Sequence, residues 1–184
     1  MKRIAIVLTL LISFTLSYGQ SNKVVSAWNY MKAEYNELDK AKEAIDLACV
    51  HPKTQVQAKT WYYRGLVYHK LFNTKDEKFK NLDPNPLKEA YLAYKKAKEL
   101  DTKKRYEKDI LYKLAVARNE FFNKGSLEYE QKKFDASLVS FETAIEIDQL
   151  PYINQVDSTV FFNAAIAAAV VAAARIGRRT AGGR

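Results

Sequence analysis

Three stretches of this chain carry the same spacing of a small residue, a large one and another small one. Ala41, Ile45 and Ala48 form the first set, Ala90, Tyr94 and Ala97 the second, and Ser137, Phe141 and Ala144 the third. Positions i, i+4 and i+7 share one face of an α-helix. Each stretch therefore predicts a helix whose small residues admit a neighbour closely while the large residue fills the gap between. Upstream lie partner patterns of ring and small residue: Trp61, Gly65 and Tyr68, then Phe121, Gly125 and Tyr129, then Phe161, Ala165 and Ala168. A glycine inside a helix costs about 1 kcal/mol against alanine. Two glycines at equivalent places predict crossings too tight for a side chain. Repetition of this kind constrains the fold strongly, because helix pairs that cannot bury a face alone must stack on one another.

These segments resemble tetratricopeptide repeats, helix–turn–helix units of about 34 residues. The second unit matches at Trp61, Gly65, Tyr68, Ala90, Tyr94 and Ala97, and the third at Phe121, Gly125, Phe134, Phe141 and Ala144. Glu128 stands where the family has tyrosine, and Ser137 where it has alanine. The first unit matches only in its second helix, and the fourth has only a first helix. The resemblance covers roughly residues 24–168. It implies an all-α fold, a right-handed α-solenoid of about three to four TPR-like hairpins. Tyr68 and Ala90 stand much further apart than in the family, and Asn73-Thr74-Lys75 and Asp83-Pro84-Asn85-Pro86 between them are strong turn chemistry. A long inter-helix loop is predicted there. Ile110, Leu111, Leu114 and Ala117 predict a lengthened helix before the third unit.

At the N-terminus, Lys2 and Arg3 precede an apolar run from Ile4 to Leu16, and Ser17 and Gly19 place small residues before Gln20. This is the pattern of a secretory signal peptide, with an uncleaved anchor as the alternative. The run is shorter than the ~20 residues of a spanning helix. The domain plan is therefore a leader over 1–19, a helical repeat domain over 20–168, and an Ala/Arg-rich tail over 169–184. That tail reads as a truncated, frame-shifted or disordered end, or as a genuine basic extension. Export to the periplasm or the medium is expected, with no transmembrane segment once the leader is cleaved. Six of the net +9 charges lie in leader and tail, at Lys2, Arg3, Arg175, Arg178, Arg179 and Arg184, which leaves +3 between them. A nucleic-acid partner draws little support from that balance.

No catalytic constellation emerges. His51 and His69 have no metal-ligand spacing, and neither a phosphate loop nor a Gly-x-Ser-x-Gly elbow is present. No enzyme activity, cofactor or metal is expected. The lone Cys49 reads as a small apolar residue on a helix, with intermolecular pairing or a reactive thiol as alternatives. In stacked hairpins the first helices line a concave groove suited to a peptide or partner helix. By register, the resemblance places Lys59, Tyr62, Leu66, His69 and Lys70 of the second unit on that groove, with Asn119, Phe122, Ser126 and Tyr129 of the third. Tyr62 and Phe122, each following a core ring, are the expected apolar anchors. The expected role is a non-catalytic scaffold of the cell envelope or secreted space that binds a protein or peptide. An anionic envelope polymer or nucleic acid held by Lys and Arg is the alternative.

Overall fold

In a computed structural model of the chain, residues 23–32 and 34–181 are described, with side chains as far as Ile176. The leader predicted over 1–19 lies outside them. Every regular element among the described residues is a helix: α1 over residues 23–31, α2 Leu38–Val50, α3 Ala58–Asn73, α4 Glu77–Lys80, α5 Pro86–Leu100, α6 Glu107–Glu130, α7 Phe134–Asp148 and α8 Ser158–Ala181. Two compact units divide at Ile110 and Leu111, inside α6.

In the first unit α2 buries Leu38, Ala41, Ile45 and Ala48 as one stripe, all fully inaccessible. It stops where Pro52 disfavours a helical residue before it, and His51 takes an extended conformation. Thr54 Oγ1 then donates to the carbonyl of Ala48 at 2.5 Å, satisfying one of the orphan acceptors at the helix end. Helices α3 and α5 pack closely against each other. A Cβ placed on Gly65 would lie 2.3 Å from the ring of Tyr94, which is itself completely buried. The glycine is thus the socket for the large residue of the facing helix, and Ala90 and Ala97 on either side let the backbones close. The loop between these helices is anchored rather than loose. Asp76 caps α4, and Phe79 on that single turn is 2% exposed. Pro86 opens α5 at a position where a missing N–H costs nothing.

The second unit repeats the joint with different atoms. On Gly125 a Cβ would lie 2.9 Å from the ring of Phe141. Ser137, in the place of Ala41 and Ala90, is fully buried, and its hydroxyl donates 2.8 Å to the carbonyl of Gly125. Glu128, in the place of Tyr68, accepts a 2.6 Å bond from Ser140 Oγ. Helix α6 has the predicted extension, with Ile110, Leu114 and Ala117 buried. Helix α8 packs Val160, Ala164, Ala167 and Val171 inward. Helix α8 continues past Ala168 to Ala181, since an alanine-rich segment has high helix propensity whatever it buries. Within it, Ser158–Ile176 has the length and apolarity of a membrane-crossing helix, with a mean hydropathy of 1.8.

Candidate functional site

The outward face of α3 organises the first unit's surface. Two adjacent tyrosines stand along it about 100° apart: Tyr62 borders the α3/α5 seam, its ring 6.4 Å from that of Tyr94, and Tyr63 faces α1. Tyr62 is half-buried, stacked on Tyr106 at 5.1 Å with planes 29° apart. Tyr63 meets Tyr62 edge-on at 5.8 Å and 89°, and meets Trp28 of α1 edge-on at 5.3 Å and 73°. Four rings from α1, α3 and the turn before α6 thus form one strip. Trp28 is 39% exposed, and Lys59 lays its ammonium 5.5 Å from the centre of the Tyr63 ring. Burial pushes the hydroxyls of Tyr62 and Tyr63 above the usual tyrosine range, reinforced at Tyr62 by the charge of Asp109 and the neighbouring phenols. Both hydroxyls therefore remain hydrogen-bond donors at neutral pH.

Tyr106 is held in place by the end of α5. Asp101, 6% exposed, accepts from the backbone N–H of Arg105 at 3.0 Å and of Tyr106 at 2.7 Å. Lys104 takes a left-handed conformation to close that turn. A buried carboxylate therefore fixes the segment that carries the fourth ring.

Of the residues expected on this face, Lys59, Tyr62 and Leu66 are there and half-exposed. His69 is not: it is 5% exposed, with Nδ1 3.1 Å from the hydroxyl of Tyr94. It stands four residues after Gly65 and so faces the same seam. Lys70 is diverted as well, its ammonium donating to the carbonyl of Met31 at the end of α1. In the second unit Asn119 is exposed and accepts from Arg118 at 3.2 Å. Phe122 rests half-buried on Phe141 at 5.8 Å, and Tyr129 rests edge-on against Phe134 at 5.1 Å. Ser126 turns its hydroxyl back to the carbonyl of Phe122 at 3.1 Å. Phe122 and Tyr129 therefore fill seams of their own unit. Sequence register missed Tyr63 and Tyr106. The tyrosine pair at 62 and 63 carried the signal for the first. For Tyr106 the sole hint was an aromatic residue after the basic run Lys103-Lys104-Arg105.

Two charged nodes lie apart from the strip. Arg64 donates to Asp46 of α2 and, at 3.0 Å, to Glu89 of α5, while Tyr68 donates to Asp46 at 3.0 Å. Burial pushes the Cys49 thiol up to about 11, against a smaller opposing pull from Arg64. It is 6% exposed, so it behaves as a packed thiol rather than a nucleophile. In the second unit Arg118, 8% exposed, donates to both oxygens of Asp148 and to Asp157 at 2.6 Å. Each node consumes its charges internally. No protein-family model, curated protein or solved structure matches the chain.

Proposed function

We propose that this chain is an exported, non-catalytic protein–protein interaction module of the TPR kind, a right-handed stack of about three to four hairpins. A peptide or partner protein would bind across its first helices. The resemblance in sequence supports the family reading, and the ring-on-glycine joints at Gly65–Tyr94 and Gly125–Phe141 add to it. The strip of half-exposed rings from Trp28 to Tyr106 carries the functional reading. Partly exposed aromatic residues in a well-packed setting are the side chains that dominate interface energetics.

Immobilised protein and its Tyr62→Ala variant, both shown to be folded by circular dichroism, provide the test. A partner retained by the parent and lost by the variant, at both 50 and 300 mM salt, is the expected result. Retention that collapses as salt rises indicates a polyanion instead. Equal retention by parent and variant removes the groove reading.

A further inference from the structure

We infer that the Trp28–Tyr63–Tyr62–Tyr106 strip is the seat of a proline-rich segment in the polyproline II conformation, flanked by acidic residues. This rests on reading the face as a peptide groove and names what the groove takes. Three observations carry it.

The first is the relative orientation of the rings. Tyr63 stands edge-on to both of its neighbours, at 73° and 89°. The single near-parallel pair, Tyr62 and Tyr106, stacks on itself. A sugar or a base seeks a broad flat face, and this strip offers a stepped one. Steps between perpendicular rings suit compact pyrrolidine rings, and polyproline segments dock in aromatic-lined grooves. Polyproline II rises about 3.1 Å per residue. Ring spacings of 5.1 to 5.8 Å along the strip thus correspond to roughly two residues per step.

The second is hydrogen-bond polarity. A polyproline segment has no N–H to give and leaves its carbonyls without internal partners. It needs a surface that donates. The phenols of Tyr62 and Tyr63, held protonated, and the indole of Trp28 all donate. The segment is also stiff before it binds, so less entropy is lost on docking.

The third is charge. Lys59 lies beside Tyr63. The chain that delivers Tyr106 carries Lys103, Lys104, Arg105 and Lys108 against Glu107 and Asp109. Lys103 and Arg105 are exposed, while Lys104 shares Glu107 with Lys98. The balance at this end is positive and favours acidic flanks on the ligand.

The test uses the full chain and fluorescein-labelled peptides read by anisotropy: hexaproline with aspartates at both ends, the same peptide with alanines for prolines, and hexaproline with lysines at both ends. The first peptide should bind, the alanine peptide about tenfold more weakly, and the lysine-flanked peptide about threefold more weakly. Trp28→Ala and Tyr63→Ala should each weaken hexaproline binding by about tenfold or more. Tyr63→Phe keeps the ring and removes only the donor, so it serves as a second variant with an expected loss of about threefold. Equal binding of the proline and alanine peptides overturns the inference, as does unchanged binding by folded Trp28→Ala and Tyr63→Ala. A random dodecapeptide array separates the two levels of reading. If proline-free peptides bind and Tyr63→Ala abolishes them, the polyproline inference falls and the groove stands. If no peptide binds, or chitohexaose binds in preference, both fall.

Discussion

Each unit contains one arginine bridging two carboxylates from different elements, and the two nodes differ in depth. Arg64 reaches Asp46 and Glu89, whose side chains keep 33% and 36% of their exposure. Arg118 reaches Asp148, at 2%, and Asp157, at 32%. Topologically they do the same thing, tying neighbouring elements together through a guanidinium fork. Energetically they should not be alike. Water can solvate Asp46 and Glu89 if their arginine is lost, and Asp46 also keeps Lys42 at 3.0 Å. Asp148 has no access to water. Burial of the acid, rather than the number of contacts made by the base, sets what each node is worth.

Replacing each arginine in turn tests that difference. Arg118→Met should destabilise by about 3–5 kcal/mol, the cost of stranding a buried charge. Arg64→Met should cost less, about 1–2 kcal/mol, because Asp46 and Glu89 can be rehydrated when the half-buried arginine is lost. Urea denaturation of both variants measures it, and equal losses would show that depth does not govern these nodes.

The ring-on-glycine joints offer a second, smaller contrast. Gly65→Ala puts a methyl 2.3 Å from the Tyr94 ring, where Gly125→Ala puts one 2.9 Å from Phe141. Overpacking costs about 1–3 kcal/mol, and alanine returns about 1 kcal/mol in helix propensity. Gly65→Ala should lose about 2 kcal/mol net, and Gly125→Ala less than about 1 kcal/mol. Thermal melts that rank them the other way would mean that Phe141 is the more tightly held ring.

Sequence reading reached the joints because they are written in local spacing. Ala90, Tyr94, Ala97 and Gly65 declare a close crossing by their spacing alone, and so do Ala144, Phe141 and Gly125. It did not reach the nodes. Arg118 and its acids are 30 and 39 positions apart, and nothing about a mid-helix arginine says that it turns inward. The face of α3 was half legible. Tyr62 and Lys59 follow from register, but His69 needed the knowledge that Gly65 and its i+4 neighbour share the seam. Lys70 is lost to an interaction with the end of α1 that no pattern in α3 encodes. Tyr106 is positioned by the buried carboxylate of Asp101, a turn interaction whose outcome depends on where α5 stops.

Ser137 marks another difference between the joints. Its partners in the first unit's pattern, Ala41 and Ala90, have no hydroxyl, while Ser137 donates to Gly125 inside the seam. Ser137→Ala removes one buried neutral bond and leaves a carbonyl that α6 also uses, so a loss of about 1 kcal/mol is expected. A gain on urea denaturation would mean that the hydroxyl is a burden to the seam.

The smallest expected effect concerns the shallow end of the deeper node. Hydrogen bonding to Arg118 is the largest influence on Asp157, and with the N–H of Thr159 it holds that carboxyl below the usual aspartate range. A carboxyl lowered in the folded state adds stability above its unfolded pKa of about 3.9, and loses it as pH falls through the folded value. Asp157→Asn is a clean probe because asparagine can still accept from Thr159 at the start of α8 while carrying no charge toward Arg118. At pH 6 the variant should melt below the parent. As pH falls below the unfolded value and on through the lowered folded one, the parent loses this contribution, and the two melting temperatures should converge. Protonation of the other carboxylates lowers both curves together and cancels in the difference. A gap that stays constant from pH 6 to pH 2.5 would assign the effect of Asp157 to its cap on α8 alone, leaving Asp148 as the single charge that matters to Arg118.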